Sequence, residues 1–426
     1  MANNVESNYR EKVVPAFTEA FDASRVFSKC VNTQLLDGVF DAESGDSVAF
    51  KRDNDAVVIE TTDGDVSASN PSPIIVGNAF GRVQNYLTVF VEYQQIDQAL
   101  KLNQLDRLLK PIAKRMSTTL DLRFASFMAK NTGLMAGAHG NAVDAWADIA
   151  EAGAVMTGTG VPDDGQRFYA VNPYSQKSLS EIQLSLGSGG SSGGLIKTAY
   201  EKATIANDVA GLRVMTATTQ PNYATGSGAD RVGALSANPD VTYVTAKDTM
   251  TQSLAVSGFN ANLVIKAGEQ IKITGRNRLN LATREKVLDE AGAPVVWTAT
   301  VSADVTLSGT GTGTIVATGP AIYEATGAFN TVDSAPISGD VVTLLGAAST
   351  TYQPNLFWHK NAFSIGTVAL PKLTAQENTG TTEDGIRIKV TRGSDFLKNK
   401  NMVRFDILPA FLAANPFLAG QGFGNP

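Results

Sequence analysis

VVWTATVSADVTLSGTGTGTIVA, residues 295–317, reads as three short strands separated by turns. Trp297, Ala299 and Val301 alternate with Thr298, Thr300 and Ser302, the period-two pattern of a strand with one buried face. Valine-rich runs follow at 305–307 and 314–317, broken by Ser, Thr and Gly. Further runs of this kind lie at 241–244, 263–265, 270–274 and 341–345. Between Val287 and His359 there is no Lys or Arg. Many short strands with glycine turns predict a barrel or sandwich. Ile271, Ile273, Trp297 and Val301 are its expected core.

Outside about 222–350 the character is different. Residues 140–220 alternate helix-like and strand-like stretches, and mixed character resumes at PNLFWHKNAF after Tyr352. The reading is an α+β host carrying an inserted all-β domain. Such an insertion is tolerated where its two ends lie close together on a surface loop.

Upstream, three elements stand out. Val13, Phe17 and Phe21 recur at helical spacing in an N-terminal arm, with Pro15 marking a kink or break. Docking on its own core and meeting a neighbour or assembly factor are both open readings of the arm. Residues 37–93 read as a long projecting hairpin, with strands at SVAFKR and VVIETT and polar sequence between. Its flanks carry Asp41, Glu43, Asp46, Asp53, Asp55, Asp63 and Asp65, with Lys51 and Arg52 among them. A helix is expected over 94–131. Ile96, Leu100, Leu105, Leu108, Ile112, Met116, Leu120, Phe124 and Phe127 form its apolar stripe, and Pro111 is an expected kink. Its basic residues, Arg107 among them, lie mostly off that stripe. At 1.5 Å per residue it would be a spine of roughly 50 Å.

Composition narrows the function classes. With 426 residues, 43% hydrophobic, the chain can build two or three cores. Charged residues make up 18%, against roughly 25% in ordinary domains, and Gly is abundant at 39. A surface poor in charge suits a subunit covered by copies of itself. The net charge of −6 and the lack of a Lys/Arg cluster argue against a protein that grips phosphates, although non-specific contact with nucleic acid is compatible with it. There is no run of 18 apolar residues, and MANNVESNYREKVV has no apolar signal core, so no membrane role is expected.

Catalytic chemistry is missing. The single cysteine, Cys30, permits neither an internal disulfide nor a cysteine zinc site. His139 and His359 lack zinc or triad context. LGSGGSSGG, residues 186–194, lacks the Gly-Lys-Ser/Thr ending of a phosphate loop. The pairs Asp163–Asp164 and Asp289–Glu290 sit in glycine turns with no second catalytic partner. No enzyme activity and no cofactor are expected.

Five stretches, in order along the chain, carry a resemblance. They are QLLDGVFDAESGDSVAFKR (34–52), GRVQNYLTVFVEYQQIDQALKLNQL (81–105), KAGEQIKITG (266–275), PNLFWHKNAFSIGTVALPKL (354–373) and MVRFDILPAFLAANPFLAGQGFGNP (402–426). Together they resemble the major capsid proteins of short-tailed phages of the Salmonella and Shigella (Lederberg-type) group. The resemblance implies the Hong Kong 97-type capsid fold with an inserted six-stranded barrel. It places an arm at 1–36, an extended loop at about 40–82, a peripheral domain containing the helix and a strand at 402–413, and an axial domain at 140–221 with 351–395. It also implies partners: copies of the chain in hexamers and pentamers, a scaffolding protein, a portal protein and packaged double-stranded DNA. Asp41, Glu43, Asp46, Lys51, Arg52, Asp53, Asp55 and Arg107 are then expected at intersubunit contacts, and Val13, Phe17 and Phe21 at arm contacts. The alternative is a tail or surface adhesin that binds through the β domain. An encapsulin-like compartment is disfavoured by the insertion.

Overall fold

The computed structural model describes residues 15–22, 25–33, 35, 46–67, 72–94, 105–185, 202, 205, 208–325, 327–371, 377–395 and 400–426. They form two compact units, each built from separated stretches of chain.

The first unit contains residues up to 49 with 80–125 and 363–412. Strands Glu377–Thr381, Arg387–Asp395, Lys400–Ile407 and Leu87–Gln94 make one antiparallel sheet in that order. A second sheet places Pro409–Ala413 between Asn78–Val83 and Phe363–Thr367. The C-terminal apolar run expected as one strand is therefore two strands in different sheets. They break at Pro409, which has no N–H to give a continuous ladder. Described residues 15–22 are helical and bury Phe17 and Phe21. Phe17 stacks on Phe405 at 4.1 Å between ring centroids.

The spine is the helix Leu105–Lys130, which contains Pro111; residues 95–104 of the expected helix lie outside the described residues. Its buried stripe is Leu109, Ala113, Met116, Leu120, Phe124 and Met128. Ile112 and Phe127 sit at the edge of that stripe, half-buried. Lys110, Lys114, Arg115 and Arg123 face outward. Asp121 is fully buried beside the stripe. Its carboxylate accepts the backbone N–H of Val26 (2.7 Å), Phe27 (3.1 Å) and Ser28 (3.0 Å), and the Ser28 hydroxyl (2.7 Å). It thus satisfies the open donors at the start of the short 3-10 turn Phe27–Lys29.

The second unit contains 50–79, 126–362 and 413–426. Its host part is a six-stranded mixed sheet, in the order Leu134–Ala136, Ala419–Gly422, Asn355–His359, Arg167–Val171, Leu212–Thr216 and Asp208–Val209. Met156 and Ile149 of the helix Trp146–Thr159 pack with Tyr169, Val171 and Phe357 of the sheet.

The inserted part is a closed barrel. Its strands are β1 (Val232–Leu235), β2 (Thr251–Ser257), β3 (Gln270–Asn277), β4 (Val296–Val301), β5 (Gly313–Thr318) and β6 (Val341–Leu344). They pair in the order β2-β5-β4-β3-β6-β1, and β1 closes on β2. Trp297, Ala299 and Val301 point inward, packed with Ile271, Ile273, Leu254, Ile315 and Val342. Val264–Ile265 and Val305–Thr306 form a separate two-stranded ladder beside the barrel. The strand expected at 241–244 is instead the short helix Tyr243–Ala246. A local turn leads into it: the Asp240 carboxylate accepts the Thr242 N–H at 2.9 Å and the Thr245 hydroxyl at 2.7 Å.

The outer face of β3, β4 and β5 is polar yet buried where it meets the host sheet. Thr300 Oγ1 lies 3.1 Å from Thr132 Oγ1, and Gln270 donates to the Leu134 carbonyl at 3.3 Å. Gln421 donates to the Ala129 and Gly268 carbonyls at 2.8 and 3.1 Å. Arg278 donates to the Gly133 carbonyl at 3.1 Å and to Thr298 Oγ1 at 2.8 Å. Burial lowers the Arg278 pKa to about 10.

Candidate assembly surfaces

The extended loop departs from the expected hairpin in one respect. Ser47–Lys51 is a strand, but 52–61 and 72–77 form no ladder. The two arms are joined by three bonds. Arg52 N–H donates to the Gly77 carbonyl at 2.8 Å, Val57 N–H to Ser72 Oγ at 3.0 Å, and Ile75 N–H to Asn54 Oδ1 at 3.1 Å. Two of the three acceptors are side chains, so beyond Arg52 and Gly77 no backbone-to-backbone bond joins these described arms. Val58 is 87% and Ile74 81% exposed. These are unusual exposures for branched apolar residues on a projecting segment.

The residues expected at intersubunit contacts fall into three groups. Asp46, Lys51 and Asp53 are exposed. Arg52 and Asp55 are engaged within their own unit. Arg52 lies against the Asp248 carbonyl at 3.5 Å, and burial lowers its pKa to about 10. Asp55 is paired with Arg284. Asp41 and Glu43 lie outside the described residues, as does the side chain of Arg107. Among the arm residues, Val13 lies outside them too, while Phe17 and Phe21 are buried in the subunit's own core. On its outward side Pro15, Thr18, Glu19 and Lys29, together with Thr381 and Glu383, line an open groove of about 610 Å³.

The barrel joins its host through a neck, the ladder of Tyr223–Ala224 with Thr351–Tyr352. His139 Nε2 lies 2.9 Å from the Tyr223 hydroxyl, and its ring packs on Phe423 at 4.1 Å. Burial, and then the charge of Arg231, lower the His139 pKa to about 4. Arg231 in turn pairs with the fully buried Glu269, which also accepts the Gly226 N–H at 2.7 Å. His359 is buried with Nε2 3.1 Å from Asp164 Oδ1. Both histidines are thus parts of structural contacts. Among the described residues no group of three or more His, Cys, Asp or Glu is placed to hold a metal. No described helix is long and apolar enough to cross a membrane.

A family model described as "P22 coat protein - gene protein 5" matches residues 1–424. The chain belongs to the P22 coat protein family. It is 35% identical over 431 residues to the major capsid protein of Acyrthosiphon pisum secondary endosymbiont phage 1, covering all of both chains. This coat protein is therefore a structural component of an icosahedral phage capsid and not an enzyme. The adhesin alternative falls with that assignment. Solved structures similar to it include Mycobacterium phage Che8, at 13% identity and TM-score 0.47, with 93% of this chain and 90% of that chain covered. The capsid of Ralstonia phage GP4 is similar at 9% identity and TM-score 0.41, covering 95% and 92%. A virus-like particle from Pyrococcus furiosus is similar at 8% identity and TM-score 0.39, covering 96% and 97%. The mixed α/β fold with a closed six-stranded barrel is the fold expected from the sequence.

Three features escaped sequence reading: the burial of Asp121, the Arg231–Glu269 pair and the buried Arg278. Each looks like an ordinary surface charge in the sequence. Only residues about 40 to 150 positions away along the chain make them internal.

Proposed function

We propose that this coat protein assembles with a scaffolding protein into a procapsid of hexamers and pentamers, around a portal protein. The procapsid then expands and encloses double-stranded DNA, as in the short-tailed Salmonella and Shigella phages it resembles. The subunit carries the Hong Kong 97-type division of labour. The extended loop reaches neighbouring copies, the arm docks through Phe17 and Phe21 on its own subunit, the spine helix and flanking sheets stay rigid, and the host sheet of the second unit surrounds the capsomer axis. The observation that carries this reading is the full-length family match, seen together with a loop that exposes Val58 and Ile74. Such residues need a cover, and repeated heterologous contacts between copies supply one. A net charge of −6 lets packaged DNA slide without sticking.

The test is co-expression with a scaffolding protein from a phage of the same family, followed by electron microscopy of purified particles. Closed shells that enlarge on heating support the proposal. Open sheets or free subunits under every scaffold ratio would sink it.

A further inference from the structure

We propose that the inserted barrel aims the extended loop of its own subunit, through a clasp between Asp55 and Arg284. Only the base of the loop is paired, with Ser47–Lys51 beside Asn78–Val83. Beyond that base the described arms 52–61 and 72–77 share three hydrogen bonds and no ladder, and even a fully paired two-stranded ribbon is marginal in water.

Each arm is instead fixed to the barrel side of the same compact unit, which takes in residues 50–79 together with the whole barrel. On the outgoing arm, Asp55 pairs with Arg284 and Arg52 rests on the Asp248 carbonyl. On the returning arm, Ile75 packs on a cluster of Tyr243, Ala246, Met250, Ile322 and Phe417. Asn78 N–H donates to Asp248 Oδ1 at 2.9 Å. Gly77 lies so close that a Cβ there would stand 2.3 Å from the Lys247 carbonyl oxygen.

Arg284 carries the marks of a positioning residue. Its φ of 58° is a left-handed conformation that an arginine adopts only when its surroundings require it. Here the turn is held by its own N–H donating to the Asn280 carbonyl at 2.9 Å. That turn sends the guanidinium to two acceptors at once, the Asn330 carbonyl at 2.8 Å and the Asp55 carboxylate. The loop and the barrel then move as one body, so the barrel decides where Val58 and Ile74 are presented. The consequence for the shell rests on the reading of the loop as the contact with a neighbouring copy; the clasp itself does not.

Hydrogen exchange on the unassembled full-length subunit tests the clasp, with the amides of Val57 and Ile75 as reporters. Asp55→Asn keeps shape and the Arg284–Asn330 contact but removes the charge. It should speed exchange at both reporters about fivefold, the scale of one partly exposed ion pair. Barrel amides such as Leu254 and Ile273 should be unchanged, and Asp55→Glu should stay within twofold of the parent. Reporters unmoved by Asp55→Asn would overturn the proposal, as would loop and barrel amides loosening together. Arg284→Asn, which tolerates the left-handed turn, should reproduce the Asp55→Asn pattern, and a rigid loop in that variant would also overturn it. Assembly of the same variants is a separate reading: a loosened loop with normal shells would keep the clasp and reject the loop as a neighbour contact.

Discussion

Tyr223 and Tyr352 are Cα partners across the two-residue ladder through which the chain enters and leaves the barrel, their ring centroids 6.1 Å apart. An excursion of more than a hundred residues therefore begins and ends at one point. The neck is closed by short-range bonds. Thr225 N–H donates to the Thr350 carbonyl at 2.9 Å, Thr225 Oγ1 to the Ala347 carbonyl at 2.6 Å, and Ala347 N–H to the Tyr352 hydroxyl at 2.8 Å.

Gly226, just inside the neck, has no room for a side chain. A Cβ there would lie 1.7 Å from the Val264 carbonyl oxygen. Gly226→Ala must push backbone against backbone and should cost about 3 kcal/mol. Chemical denaturation of the subunit followed by tryptophan fluorescence measures this. A variant as stable as the parent would show that the neck yields.

His139 makes the neck sensitive to acid. Its folded pKa of about 4 lies below the ordinary 6.5, so the unfolded chain takes up the proton first as pH falls. Stability from this group is complete above about pH 6.5 and declines down to about pH 4, with a slope of at most about 1.4 kcal/mol per pH unit. His139→Gln can keep a bond to Tyr223 without titrating. The difference between the urea midpoints of parent and variant should shift steadily in the variant's favour from pH 6.5 to 4.5. Parallel profiles would remove His139 as the source.

Asp121 predicts an effect confined to the first unit. Asp121→Ala leaves three backbone N–H groups and the Ser28 hydroxyl without their acceptor, at a cost of about 3 kcal/mol or more. Exchange of the Val26, Phe27 and Ser28 amides should rise, while barrel amides stay protected. Asp121→Asn, which keeps one acceptor oxygen, should lie between.

Trp297→Ala should cost about 3–5 kcal/mol, because the indole fills the centre of the barrel and is fully buried. A fragment spanning 222–350 should fold alone with a cooperative melt. Much of the face it loses contact with is polar, carrying Thr300 and Gln270, and the apolar surface it uncovers is the side of Tyr243, Ala246, Met250 and Ile322 that Ile75 and Phe417 cover. Circular dichroism of the fragment and of its Trp297→Ala form measures both points. A disordered fragment would mean that the host sheet is needed to close the barrel.

The sequence made the barrel legible where alternation was strict. Trp297, Ala299 and Val301 gave one face of β4, and Ile271 and Ile273 gave the matching face of β3. It did not reveal β1, because Val232–Leu235 is four residues long and contains Gly233. It misread Tyr243–Ala246, where the carboxylate of Asp240, two residues before the Thr242 N-cap, accepts the Thr242 N–H and the Thr245 hydroxyl. Among the candidate contacts, the acidic character of the loop was plain. Whether a given carboxylate is free was not, since Asp53 and Asp55 are two residues apart and only Asp55 meets Arg284. That difference depends on a turn more than two hundred positions downstream, and no local pattern encodes it.

The proposed contact of the loop with a neighbouring copy bears on how the shell is held together. A covalent link between subunits through an exposed loop lysine is one way to hold a shell, and Lys51, which ends the strand Ser47–Lys51, is exposed. We expect no such link here, because exposed charges and apolar side chains repeated over a closed shell supply many small terms. A single exposed ion pair contributes at most about 1 kcal/mol, but hundreds of copies act together. Mature particles boiled in detergent should therefore run as one band near 44.8 kDa. A ladder of larger bands would refute the non-covalent account. Asp53→Lys reverses a charge on the exposed loop without touching the Asp55–Arg284 pair. It should lower the temperature at which shells fall apart in low salt, and the deficit should shrink as salt screens the charge. Shells that assemble and survive heating like the parent at every salt concentration would show that Asp53 is merely solvated and faces no neighbour.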